Sequence, residues 1–181
     1  RHFVGLADFD RDGQLDIATA TMHQSAGPVG IEVYLNGRLG KEWSKRTIAD
    51  TGSHNMRIVD VDGDSDPDLF GANWSGPDQQ VLLWVNQTCS PGKGCPSWRR
   101  HVIESNRPGK AVFIVPGDID GDGRVDIAAG GFWYRNPGRP DGIWERHAFG
   151  YPANDLVVLA DLDGDGDTDA VLTRWRENNA D

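Results

Sequence analysis

Asp118-Ile119-Asp120-Gly121-Asp122-Gly123-Arg124-Val125-Asp126 is a nine-residue acidic loop that the chain repeats, with variations, three further times. The other copies are Asp8-Phe9-Asp10-Arg11-Asp12-Gly13-Gln14-Leu15-Asp16, Asp60-Val61-Asp62-Gly63-Asp64-Ser65-Asp66-Pro67-Asp68 and Asp161-Leu162-Asp163-Gly164-Asp165-Gly166-Asp167-Thr168-Asp169. Each places carboxylates at loop positions 1, 3, 5 and 9, so in a tight turn they converge on one centre and offer it only hard oxygen donors. Like charges so close together repel strongly unless a cation lies between them, and Ca2+ suits such oxygen-only loops, at about four ions per chain. Gly13, Gly123 and Gly166 occupy position 6, where a sharp reversal calls for a positive φ. Ser65 stands there in the second copy, with Pro67 at position 8, so the second site is expected to be the weakest even though Asp66 adds a carboxylate nearby.

The charge of the chain follows from these loops. Its 181 residues carry a formal net charge of −10, yet 18 of the 28 acidic residues lie in the four loops, leaving 10 against 18 Lys and Arg elsewhere. The low isoelectric point is therefore a property of the loops and does not signal a basic partner. Nucleic-acid binding lacks a concentrated basic patch, since Lys45-Arg46 and Arg99-Arg100 are short, separate pairs. No run of 18 apolar residues exists to form a transmembrane helix. The chain opens at Arg1 with no Met and no signal-like segment, which suggests a processed product or an internal piece.

Cys89 and Cys95 bracket a short polar stretch, a spacing that suits a disulfide pinning a long connection and makes a poor zinc site. Asn73-Trp74-Ser75 and Asn86-Gln87-Thr88 are N-glycosylation acceptor sequences. Together with the calcium-type loops these features favour a secreted or cell-surface protein.

The loops begin at residues 8, 60, 118 and 161, giving periods of 52, 58 and 43. Each period shows the same order of elements. An apolar strand enters the loop (3–7, 56–59, 112–115, 156–160) and a second leaves it (15–20, 68–72, 125–129, 169–173). A third ends in Asn36, Asn86 or Asn136, and a fourth starts at Trp43, Trp98 or Trp144. These short β-branched and aromatic runs, separated by Gly, Pro, Asn and Asp, predict an all-β fold of four-stranded antiparallel meanders, the blades of a β-propeller. One domain is expected over 1–181, with repeats at about 1–50, 51–106, 107–150 and 151–181, the last incomplete. Closed propellers have more complete blades, so further blades of the same protein, or symmetry mates, are expected to finish the ring.

The Asp-x-Asp-x-Asp loops, each followed by Asp-Ile, Asp-Leu or Asp-Ala, resemble the FG-GAP/VCBS-type repeats of integrin α-subunit propellers and of many secreted proteins. The resemblance covers essentially the whole chain. It implies metal ligands at the Asp of positions 1, 3, 5 and 9, and at the position-7 backbone carbonyls of Gln14, Asp66, Arg124 and Asp167. It also implies an adhesion or lectin-like role, calcium serving to hold the fold.

Six residues beyond each final loop Asp stands a large side chain, at Met22, Trp74, Phe132 and Trp175, with Trp133 adjoining. Aromatics at repeat-equivalent positions either fill the wedge between blades or act as stacking platforms for sugar rings, and Trp74, Trp133 and Trp175 are the candidates for the second role. The resulting expectation is a non-catalytic extracellular module that binds a glycan or protein, or builds a cell-surface structure. The alternative is a secreted polysaccharide lyase or hydrolase, for which His23, His54, Tyr134 and Arg135 are the residues to suspect. It requires a His, a Tyr and an Arg to meet in one cleft.

Overall fold

A computed structural model describes residues 2–22, 24–37, 39–74, 79–87, 97–150 and 155–174. Fourteen strands and no helix are found among them. The first blade is β1 (Phe3–Ala7), β2 (Asp16–Ala20), β3 (Ile31–Gly37) and β4 (Glu42–Ala49). The second is β5 (Asn55–Val59), β6 (Asp68–Ala72), β7 (Val81–Gln87) and β8 (Ser97–Glu104). The third is β9 (Ile114–Gly117), β10 (Asp126–Ala129), β11 (Phe132–Arg135) and β12 (Glu145–Ala148), and β13 (Asp155–Ala160) pairs β14 (Asp169–Thr173) in a half-blade. Each sheet is an antiparallel meander in chain order, and the first strands of successive blades meet one another. The strands begin and end close to where the apolar runs place them. At β9 the start moves from Val112 to Ile114, because the N–H groups of Val112 and Phe113 donate to the Asp155 carboxylate at the entry to the half-blade.

Alternation divides each blade between two neighbours. In β7, Leu82 and Trp84 face the first blade and join Ile31, Val33, Met56 and Leu69. Val81, Leu83 and Val85, on the other face, join Ile114, Ile127 and Tyr134 of the third. A strand apolar on both faces is thus a period-2 pattern read twice, once for each interface. The outer strands β4, β8 and β12 are largely exposed and carry the Lys and Arg pairs.

The polar groups of the middle strands also cross between blades. Asn86 is fully buried in β7, and its Nδ2 donates to the Phe9 carbonyl of the preceding loop at 2.9 Å. Asn136 does the same to Val61 O, 2.9 Å, and also donates to Val125 O of its own blade. The buried amide leaves no room for a glycan in the folded chain, so the acceptor sequence at Asn86 fails on burial and the residue is instead a clasp between blades. Trp98 packs edge-on against Phe9, with ring centroids 5.7 Å apart, and Trp144 shares a core cluster with Val61.

Asn136→Ala should cost about 2–3 kcal/mol, because one buried and one part-buried carbonyl lose their donor. Asn36→Ala should cost about 1 kcal/mol or less, since the partner of its Nδ2, Leu15 O, lies in an exposed setting. Urea unfolding of the two variants in calcium should separate them; equal losses would show that the clasp contributes nothing specific.

Candidate metal centres

Within each loop the backbone holds the carboxylates before any ion is considered. The position-1 carboxylate of the first loop accepts from Asp12 N at 3.1 Å and Gly13 N at 2.8 Å, and Asp60, Asp118 and Asp161 are held in the same way by two loop N–H groups each. At position 5, Asp12, Asp64, Asp122 and Asp165 each accept from the N–H two residues on. The position-9 carboxylate closes the loop. Asp16, Asp68 and Asp126 are fully buried and accept from the N–H of position 2 (Phe9, Val61, Ile119) and from the N–H of Asn36, Asn86 and Asn136, at 2.7 to 3.0 Å.

Two left-handed residues make the reversal. Gly13, Gly123 and Gly166 at position 6 have φ of 85, 84 and 95°, and Ser65 adopts the same conformation at 70° despite its side chain. Position 4 is left-handed too, at Arg11, Gly63, Gly121 and Gly164. Arg11 uses that conformation to cross to the second loop, donating to Asp64 O at 2.6 Å and pairing with the buried Asp66 carboxylate. Asp66 therefore serves the contact between loops and stands outside the second carboxylate cluster.

Three carboxylates per loop bring oxygen atoms within 4.8 Å of one another: Asp8, Asp10 and Asp16; Asp60, Asp62 and Asp68; Asp118, Asp120 and Asp122; Asp161, Asp163 and Asp169. The position-3 acids test whether these clusters fit a cation. Oδ1 of Asp10 and of Asp62 is buried and makes no hydrogen bond, and each carboxylate faces two more. A buried carboxylate oxygen of this kind, facing two more carboxylates, needs either a proton or a neighbouring positive charge. The four clusters can each hold a metal ion, through positions 1, 3 and 9 in three loops and positions 1, 3 and 5 in the third. Asp12, Asp64, Asp165 and Asp126 lie beside these triplets in the same loops.

The third loop differs in having cationic neighbours. Arg135 pairs with Asp120 at 2.6 Å and with Asp122 at 3.3 Å, and Arg124 also pairs with Asp122. Backbone N–H donation together with these guanidinium groups holds the Asp122 carboxyl below its usual range. Elsewhere the direction reverses. Burial, assisted by neighbouring carboxylates, raises Asp10, Asp16, Asp62 and Asp126, and pushes Asp68 up to about 7.

A family profile for FG-GAP-like repeats matches residues 8–71 and again 60–129. The chain belongs to the FG-GAP-like repeat family. No curated protein and no solved structure matches it. Both matched segments of this FG-GAP-like chain start on a position-1 Asp and end in or at the close of the second strand of the next blade. Repeats of this family are typical of extracellular proteins, and no helix among the described residues is long and apolar enough to cross a membrane.

The remaining candidates are dispersed. Trp74 lies on a rim where its ring is 5.9 Å from His54 and 5.6 Å from Lys110 Nζ, and the His54 ring lies 4.2 Å from that of His2, tilted by 36°. Trp133 stacks on His147 at 4.4 Å. Tyr134 is fully buried between the second and third blades, its hydroxyl pushed well above the usual phenol range by burial, while Arg135 is engaged with the third loop. These residues do not line one cleft with His54. The residue that sequence reasoning missed is Arg107, buried beneath the rim and donating to Asn73 O at 2.9 Å and to Gly109 O at 2.5 Å. Its only sequence signal is its place in a Pro- and Gly-bearing connection. Asn73 turns its Oδ1 toward His54 N at 3.1 Å, and the other acceptor asparagine, Asn86, is buried. Cys89, Cys95, His23 and Trp175 lie outside the described residues.

The pKa directions fix a pH dependence. A carboxyl raised in the folded state keeps a proton the unfolded chain has released, so its contribution is full below about pH 4 and is lost as pH rises through its folded value. Without metal, the melting temperature should fall as pH rises from about 4 to about 7, the span over which Asp68 must ionise unpaired. Excess calcium should flatten or invert that slope. A chelated protein whose melting temperature climbs across this interval would contradict the assignment. Ser65→Gly should raise stability by about 1 kcal/mol by relieving the left-handed conformation of a residue with a Cβ, as read by denaturant midpoint.

Proposed function

We propose that this FG-GAP-like chain is a calcium-stabilised, non-catalytic extracellular recognition module. Four Ca2+ ions hold its blade loops closed, and a rim centred on Trp74 meets a glycan. The observation that carries the calcium reading is the buried oxygen of Asp10 and of Asp62 that makes no hydrogen bond, each carboxylate facing two more. In this reading the ions neutralise clusters that would otherwise repel, and their binding energy becomes folding energy. They sit where carboxylates and backbone meet, and no histidine or tyrosine stands in the triplets. The third site competes with Arg124 and Arg135 for its carboxylates, which makes it a rival to the Ser65 loop as the weakest of the four.

The Trp74 rim supports recognition because a half-exposed indole lies beside one cation and an imidazole pair. A sugar ring stacks on such a face, and a carboxylated sugar gains from the neighbouring ammonium. Burial of Tyr134 and the engagement of Arg135 weigh against the lyase alternative.

A panel of neutral and uronate-bearing glycans, screened in calcium, should yield binding that Trp74→Ala weakens about tenfold with no new reducing ends or unsaturated uronate absorbance. Turnover that persists through repurification and vanishes in His54→Ala would replace this reading with the enzymatic one.

A further inference from the structure

Trp84 and Tyr134 occupy the same place in successive blades. Each stands in a third strand opposite the residue that follows the position-9 Asp, Leu69 or Ile127, and each faces the blade before it. At the joint that holds Tyr134, the connection from β8 to β9 sends in Arg107, which is 2% exposed. Its guanidinium donates to Asn73 O at 2.9 Å, Gly109 O at 2.5 Å and Gln79 Oε1 at 3.3 Å, with Tyr134, Asp155 and Glu104 as electrostatic neighbours. The chain thus fills this joint with a buried guanidinium of its own.

At the joint between the first and second blades the corresponding place is open. A cleft of about 150 Å3 is walled by Leu82 and Trp84 of β7, by Asn73 and Gln80, and by Asp50 and Thr51 of the connection from β4 to β5. A volume of that size elsewhere accepts a benzene-sized molecule. The Thr51-Gly52-Ser53 segment has no long side chain to fill it, and a Cβ at Gly52 would meet Thr21 O at 1.8 Å, so that position cannot supply one. No Lys or Arg is among the described residues of the lining. Asp50 stands one residue beyond the place that Glu104 takes in the second blade, and its exposed carboxylate has no hydrogen-bonded or ionic partner among the described residues.

We infer that this open cleft binds a guanidinium carried on an aliphatic stem, such as the arginine side chain of a partner peptide. The group is the one with which the chain closes the next joint itself. Leu82 and Trp84 offer the methylenes apolar surface, Asp50 supplies the counter-charge, and Thr51 and Asn73 add oxygen acceptors. A guanidinium is planar and weakly hydrated, so it enters a narrow, half-apolar cleft at lower cost than an ammonium. The inference is independent of what the Trp74 rim binds.

Titration of the chain in calcium with N-acetyl-arginine methylamide, followed by two-dimensional NMR, tests it. The buried Trp84 indole N–H, which makes no hydrogen bond, is the reporter, and Trp84→Phe identifies its resonance. That resonance should move saturably, with a Kd on the order of 1 mM. The citrulline counterpart has the same shape without the charge and should bind about fivefold more weakly, as should the arginine probe to Asp50→Asn. Asp50 is exposed, so the variant should keep the wild-type melting temperature. Trp74→Ala should leave arginine binding within about twofold of wild type. The inference is overturned if no saturable shift is seen, if citrulline binds as well as arginine, or if Asp50→Asn binds as the wild type does. A loss in Trp74→Ala that matches the loss in Asp50→Asn would move the site to the rim and overturn it equally.

Discussion

The buried aspartate at loop position 9 is the interaction on which the rest of the architecture depends. Asp16, Asp68 and Asp126 use both oxygens to accept backbone N–H groups, one from the loop they close and one from the strand-ending Asn of their own blade. That Asn, held by its N–H, is then aimed at the previous loop, and Asn86 and Asn136 complete the link between blades. A single carboxylate thus fixes loop, third strand and joint together. Its ionised form is costly where it sits, since burial drives Asp68 up to about 7, and the proposed cation would make that charge tolerable.

Much of this was legible in the sequence, because the period of the loops and the alternation of the strands are local patterns. Asn36, Asn86 and Asn136 marked the ends of third strands, and Trp98 and Trp144 marked the start of fourth strands, correctly to within a residue or two. What the sequence concealed lies in contacts made across long separations. Asn86 reads as a glycan acceptor until its amide is found on Phe9, 77 residues earlier. The Asp66 carboxylate reads as an addition to the second loop's acidic group until Arg11, from another loop, is found on it. The left-handed residue at position 4 escaped because Arg11 broke the glycine pattern of Gly63, Gly121 and Gly164.

The same physics separates scaffold from surface. The blade interfaces take up the buried aromatic residues Phe9, Phe70, Trp84, Tyr134 and Trp144. Trp74 is set apart by being half-exposed beside His54 and Lys110, next to Asn73, whose carbonyl accepts from the buried Arg107.

Calorimetric titration of the chelated protein with calcium, paired with its melting temperature, addresses the central claim most directly. The account predicts about four bound ions per chain and a melting temperature that rises by several degrees with calcium and far less with magnesium, which resists giving up its water to such loops. Fewer than three ions bound, or a melting temperature indifferent to calcium, would contradict it.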